Sequence, residues 1–244
     1  MRLKNVIRNS ISCLVAVLMA SAVMAYDVAL VRNEKAAEQA IAASLLTEIY
    51  SRTGLTVRID ALPGARANSA ALAGTTDGEV GRVQAYADAN PGLTKVEPAY
   101  YFLTSTAFAK AGSGILIASR DDLKKYAVGI VRGIAHAAAA TEGVARVQIV
   151  GDYDQMFKML AAGRIDVAID TGVNGDYVIR KLGLTDIKPV GELARLDLFN
   201  ILHARQAHLA PKIGREIRML KNSGELAKLI RKHESNFTMS GEAP

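Results

Sequence analysis

Residues 154–170 read DQMFKMLAAGRIDVAID, and they carry a helix straight into a strand. Met156, Phe157 and Leu160 fall on one helical face, and Asp152 with Gln155 three places on is a start signal for that helix. Gly163 stops it. Residues 165–169 then hold an unbroken Val-Ala-Ile centre, which suits a strand covered on both faces. Strands buried on both sides belong to sheets with helices above and below them, so this stretch already predicts an α/β protein.

The same alternation extends in both directions. Upstream, residues 28–31 form a buried strand, Asn33 is placed to cap a helix carrying Ile41, Leu45 and Ile49 on one face, and Gly54 ends it. A strand over 55–62 closes at Pro63-Gly64, followed by a helix over 65–73 and a strand over 79–83. Nearer the opening stretch, Ser119 and Asp122 make a capping box for a short helix. Strands over 127–131 and 147–150 then flank a small-residue helix over 134–141. Downstream come a helix over 173–182, ended by Gly183, and a strand over 187–190.

Two segments break the rhythm. Residues 94–110 are long, extended and rich in β-branched and aromatic side chains, and 196–203 are similar, so both read as strands crossing between two α/β sets. The C-terminus is helical, with Ile213, Ile217 and Leu220 on one face and then Leu226, Leu229 and Ile230, fraying from Ser235. This pattern predicts two lobes with mostly parallel sheets joined by two hinge crossings. The first lobe takes 26–105, the second 106–195, and 196–244 returns to the first.

Residues 1–25 read as a cleavable signal peptide: Arg2, Lys4 and Arg8, then an apolar run over 11–20, then the small residues SAVMA ending at Ala25. The apolar run is shorter than the roughly 20 residues that span a bilayer. Cys13 precedes most of that run, so no lipid anchor is expected. It is also the only cysteine, which leaves the mature chain no disulfide and no thiol chemistry. Without the three leader cations the formal charge falls from +6 to +3, too little for a nucleic-acid partner. A periplasmic monomer, not inserted in the membrane, is expected.

With these residues in view, the chain resembles the bacterial extracytoplasmic solute-binding proteins of the type II periplasmic binding fold, in particular the amino-acid-binding group (family 3) of ABC transporter substrate-binding proteins. Residues 154–170 match that family's helix ending in Leu-x-x-Gly-Arg, then Asp, an apolar strand and a second Asp. VEPAYYFLTSTAFAK at 96–110 is similar to its crossing strand, and the segment from Leu193 to His233 to its return strand and closing helices.

Ligands of open α/β sheets sit beyond the carboxyl ends of the strands. Those ends hold Arg32 and Asn33, Gly64 to Arg66, Glu79 to Arg82, Arg132 and Gly133, Asp152, and Asp170 with Thr171. Four are arginines, whose guanidinium grips a carboxylate in a two-pronged fashion. The resemblance implies that Arg82 holds a ligand carboxylate and Asp170 receives an ammonium. A paired, structural Arg82 or Arg132 and a helix-capping Asp170 stand as alternatives. Tyr100 and Tyr101 face opposite sides of a strand, so at most one lines a cleft. The ligand-binding set is therefore Arg66, Glu79, Arg82, Tyr100, Arg132, Gly133 and Asp170. Asp166, in a tight connection, reads as structural.

One departure stands out. Where the resemblance implies Gly-Thr after the first strand of the second lobe, this chain has Gly133-Ile134, without the hydroxyl that would meet a ligand carboxylate. Backbone N–H groups and Arg132 remain to hold an anion there. His136, His203, His208 and His233 lie at no metal-binding spacing, and neither a Gly-x-Ser-x-Gly elbow nor a phosphate loop occurs. No enzyme, cofactor or metal is expected. The resemblance implies a carrier of a small amino-acid-like or organic-acid ligand, working with an ABC-type permease. A periplasmic sensor module, or less readily a small lyase on the same fold, stands as the alternative.

Overall fold

A computed structural model describes residues 26–240, with side chains through 238. The expected signal peptide lies outside the described residues. The chain begins with β1 (Val28–Asn33), α1 (Ala37–Arg52), β2 (Val57–Leu62), α2 (Gly64–Leu72) and β3 (Gly78–Arg82). These are the strands and helices that apolar periodicity predicts. β1 pairs in parallel with both β2 and β3. Gly54 ends α1 at φ +75°, the left-handed conformation that costs glycine nothing.

Two short elements follow that the sequence did not announce, α3 (Gln84–Ala89) and β4 (Leu93–Lys95). The expected crossing over 94–110 is therefore divided. After β4 comes a cis peptide at Glu97-Pro98, and only β5 (Tyr101–Lys110) makes the crossing.

The second half repeats the first. A 3-10 turn (Arg120–Lys125) carries the expected capping box, with Asp122 Oδ2 accepting the Ser119 backbone N–H at 3.1 Å. It leads into β6 (Val128–Val131), α4 (Ala135–Ala140), β7 (Val147–Val150), α5 (Tyr153–Ala161), β8 (Val167–Thr171) and α6 (Gly172–Lys181). β6 is parallel to both β7 and β8. Asp152 caps α5, accepting the Gln155 N–H at 2.7 Å. Val167 and Ile169 of β8 enter one apolar cluster, with Val128, Ile130 and Leu123, while Ala168 between them enters another, with Met156, Phe157 and Leu160. The strand at the heart of the opening stretch is thus buried on both faces, as its composition requires.

β9 (Ile187–His203) replaces the two strands expected over 187–190 and 196–203. It pairs antiparallel with the whole of β5, from Ile187 opposite Lys110 to Leu198 opposite Tyr101, and continues into β3 and β4. That partner holds Gly191–Arg195 extended, although those residues lack a strand pattern of their own. The order across the sheet is β2-β1-β3-β9-β5-β8-β6-β7, so β9 and β5 are the seam between two α/β halves.

A 3-10 turn (Ala204–Leu209) and two helices, α7 (Ala210–Asn222) and α8 (Glu225–Ser240), close the chain. Ile213, Ile217, Leu220, Leu226 and Leu229 cover α1 and the first half's sheet. Fraying from Ser235 does not occur. Phe237 is buried and meets the Tyr177 ring of α6 at 5.4 Å, which anchors the last turns. Asn33 is not the cap of α1 either: the helix begins after Ala36, and Asn33 accepts the Lys35 N–H while its own N–H bonds to Gln39.

Candidate functional site

The carboxyl ends of β1 and β7, in opposite halves, face each other across a cleft of ≈ 1230 Å³. The first half lends Arg32, the loop from Glu34 to Ala36, and the small residues Ala37 and Ala40 of α1. The second half lends Asp152, Tyr153 and Lys158 from α5 and its cap, and Asn174, Tyr177 and Lys181 from α6. Alanines at the start of α1 leave the room that larger side chains would fill.

Beside the cleft, where α1 meets α6, lie two carboxyls, Glu38 on a second cavity of ≈ 390 Å³ and Asp170 in the interior. Glu38, in the first turn of α1, accepts the Thr171 hydroxyl at 3.4 Å from the opposite half. Burial raises its carboxyl pKa above the ordinary carboxylate value. Asp170 is fully buried, with Oδ1 taking the Thr171 N–H at 2.7 Å and Oδ2 the Asn174 side-chain amide at 2.6 Å. Desolvation drives its carboxyl well above the usual range, outweighing both hydrogen bonds. Thr171, not Asp170, caps α6, accepting the Asn174 N–H at 3.2 Å.

His136, on the first turn of α4, sits 3.0 Å from the Ser105 hydroxyl, and Ser105 lies opposite Thr171 in the β5–β8 ladder. Burial depresses the imidazole to about 4, so the ring is neutral at physiological pH. Ser105 is only 1% exposed, which removes it as an accessible nucleophile.

The residues nominated from the sequence are placed unequally. Arg82 ion-pairs with the buried Glu79 at 2.5 Å, and its guanidinium lies 4.6 Å from the centre of the Tyr86 ring. Tyr86 also donates to Glu79 at 2.5 Å. Tyr100 and Tyr101 are both buried in the first half's core, the Tyr100 hydroxyl donating to the Val80 carbonyl at 2.8 Å, and Tyr101 also borders the second cavity of ≈ 390 Å³. Arg66, Arg132 and Gly133 are exposed. Arg32 and Asp152 line the main cleft, and none of the other nominated side chains does. Tyr153 and Asn174 line the cleft and Glu38 the second cavity, none of them having been singled out. Each occupies a helix's first turn, and nothing in its local sequence separates it from a surface residue.

Among the described residues no group of histidines and carboxylates could hold a metal, and no helix is long and apolar enough to cross a membrane.

No protein-family model and no curated protein sequence matches the chain. Solved structures do. A histidine kinase sensor domain with similarity to periplasmic binding proteins is 21% identical, with a TM-score of 0.65 over 84% of this chain and 94% of that one. A mutant of ArgBP from T. maritima is 16% identical, with a TM-score of 0.66 over 85% and 95%. The second substrate-binding domain of a putative amino acid ABC transporter from Streptococcus pneumoniae is 21% identical, with a TM-score of 0.62 over 84% and 99%. The chain has the type II periplasmic-binding-protein fold. It matches these domains over nearly their whole length.

Proposed function

We propose that this protein is an extracytoplasmic solute-binding protein that captures a small polar ligand, amino-acid-like or an organic acid, between its halves and delivers it to an ABC-type importer. The observation that carries this reading is the cleft at the carboxyl ends of parallel strands from both halves, where open α/β sheets hold their ligands. The likeness to ArgBP and to an amino acid transporter's binding domain supports it. Hinge closure about β5 and β9 would bury the ligand, with 26–105 and 196–244 moving as one lobe and 106–195 as the other. Arg82, steadied by Glu79, and Arg132 with the backbone at Gly133 lie outside the cleft lining and would serve as anion contacts only on closure. Export through the 1–25 leader would put this cycle in the periplasm.

Native mass spectrometry of the protein from periplasmic extract, followed by thermal shift with amino acids and organic acids, tests the reading. A co-purified solute that stabilises the fold and is returned unchanged is the expected result. Chemical conversion of that solute would replace the carrier with an enzyme. The likeness to a histidine kinase sensor domain favours a sensor as the second reading. Crosslinking in membranes separates the two, by recovering either a permease or a kinase.

A further inference from the structure

The rim of the cleft is basic on both sides. Arg32 and Lys35 stand on the first half, and Lys158, Arg164 and Lys181 stand opposite on the second. Against these five cations the lining sets three carboxylates, Glu34, Asp152 and Asp154, which leaves the rim two charges positive. Lys181 is matched by Asp154 at 2.8 Å. Lys35, Lys158 and Arg164 have no ion pair among the described residues, and the half-buried Arg32 donates only to the Asn33 carbonyl at 3.2 Å. Closing the halves on one another brings these like charges together, which costs energy until a counter-charge lies between them. A single carboxylate can answer one side. Two anionic groups on one solute can answer both.

We propose that the cleft takes a small solute bearing two or more anionic groups, carboxylate or phosphate, that bridges the basic side chains of the two halves; this rests on the solute-binding reading above. Glu38 and Asp170 do not line this cleft, so their carboxyls are not set against the rim. The space is ample, since ≈ 1230 Å³ exceeds the roughly 300–1,000 Å³ of an ordinary ligand pocket. A cationic amino acid would meet repulsion on entry from both sides.

The test is calorimetric titration of the purified protein with citrate, succinate and phosphoglycerate, set against L-glutamine and L-arginine. At least one of the multivalent anions is expected to bind, and more weakly as salt is raised. Lys158→Glu and Arg164→Glu should each weaken that anion by about tenfold or more, as the loss of a charged contact does. Both side chains are exposed, so an unchanged melting temperature without ligand shows that the variants fold. Binding of glutamine or arginine, with none of the anions bound, overturns the inference while the carrier stands. An anion whose affinity neither substitution alters overturns it as well. If none of the five solutes binds, the carrier reading falls and takes the inference with it.

Discussion

The Thr171 hydroxyl lies 3.4 Å from Glu38 Oε2, tying the cap of α6 in one half to the first turn of α1 in the other. Opening the halves would separate this pair, and with the pair in place burial raises the Glu38 carboxyl pKa. Asp170 and the phenols of Tyr101 and Tyr153 feel its charge, and Asp176, Glu192 and Glu234 share its cavity, whose lining holds no cation. A carboxyl whose pKa is higher in the closed form favours closure below its open-form value, about 4.3. That contribution is lost as pH rises through the raised value. Small-angle scattering should therefore show the ligand-free protein becoming less compact from acidic to neutral pH. Glu38→Gln, which stays neutral, should flatten the profile.

Asp170 makes a related prediction about global stability. Its raised pKa in the folded state means that folding takes up a proton there, so stability falls as pH rises through that value. Asp170→Asn keeps an acceptor for the Thr171 N–H and carries no charge. The variant's melting temperature should depend less on pH between mildly acidic and neutral solution than the parent's, a difference that calorimetric scans at several pH values read directly.

How far the sequence could reach is clearest where two elements met different fates. Helix α5 and strand β8 were legible because their apolar residues follow a period and their ends carry Asp152 and Gly163, all local signals. The continuity of β9 was not. Gly191–Arg195 is extended because β5 lies beside it, a pairing across more than eighty positions of chain that no local window contains. The last turns of α8 depend likewise on Phe237 finding Tyr177. At the site, strand ends drew attention to Arg32 and Asp152, which do line the cleft. Alternation put Tyr100 and Tyr101 on opposite faces, yet both are buried in the first half's core, because Tyr100 precedes β5 and turns into that core by itself. Glu38 was hidden because its partner Thr171 lies 133 positions away in the chain.

Gly175 lets α6 pack closely on β5. A Cβ at this position of α6 would fall 2.2 Å from Cζ of Phe108, whose ring is itself wedged edge-on against Phe157 at 5.5 Å. Gly175→Ala should therefore destabilise the fold by about 1–3 kcal/mol, the usual cost of overpacking, despite the better helix propensity of alanine. Urea unfolding measures the loss. Phe108→Leu in the same background should return part of it by clearing the ring.

The Glu79–Arg82 pair decides whether Arg82 serves the ligand, the fold or both. Glu79 is 1% exposed, and besides Tyr86 its carboxylate has, among the described residues, only Arg82 to answer its charge. Removing the guanidinium strands that charge, so Arg82→Ala should cost about 3 kcal/mol in urea unfolding. Glu79→Gln added to Arg82→Ala removes the stranded charge and should recover much of the loss. The double variant is then a stable protein without either ionic group, and its ligand affinity reports on Arg82 free of the stability effect. If Arg82 grips an anionic ligand, the double variant binds that ligand at least about tenfold more weakly while unfolding near the parent's midpoint. Unchanged affinity in that variant would leave Arg82 a structural partner of Glu79 and shift the anion contacts to the cleft rim.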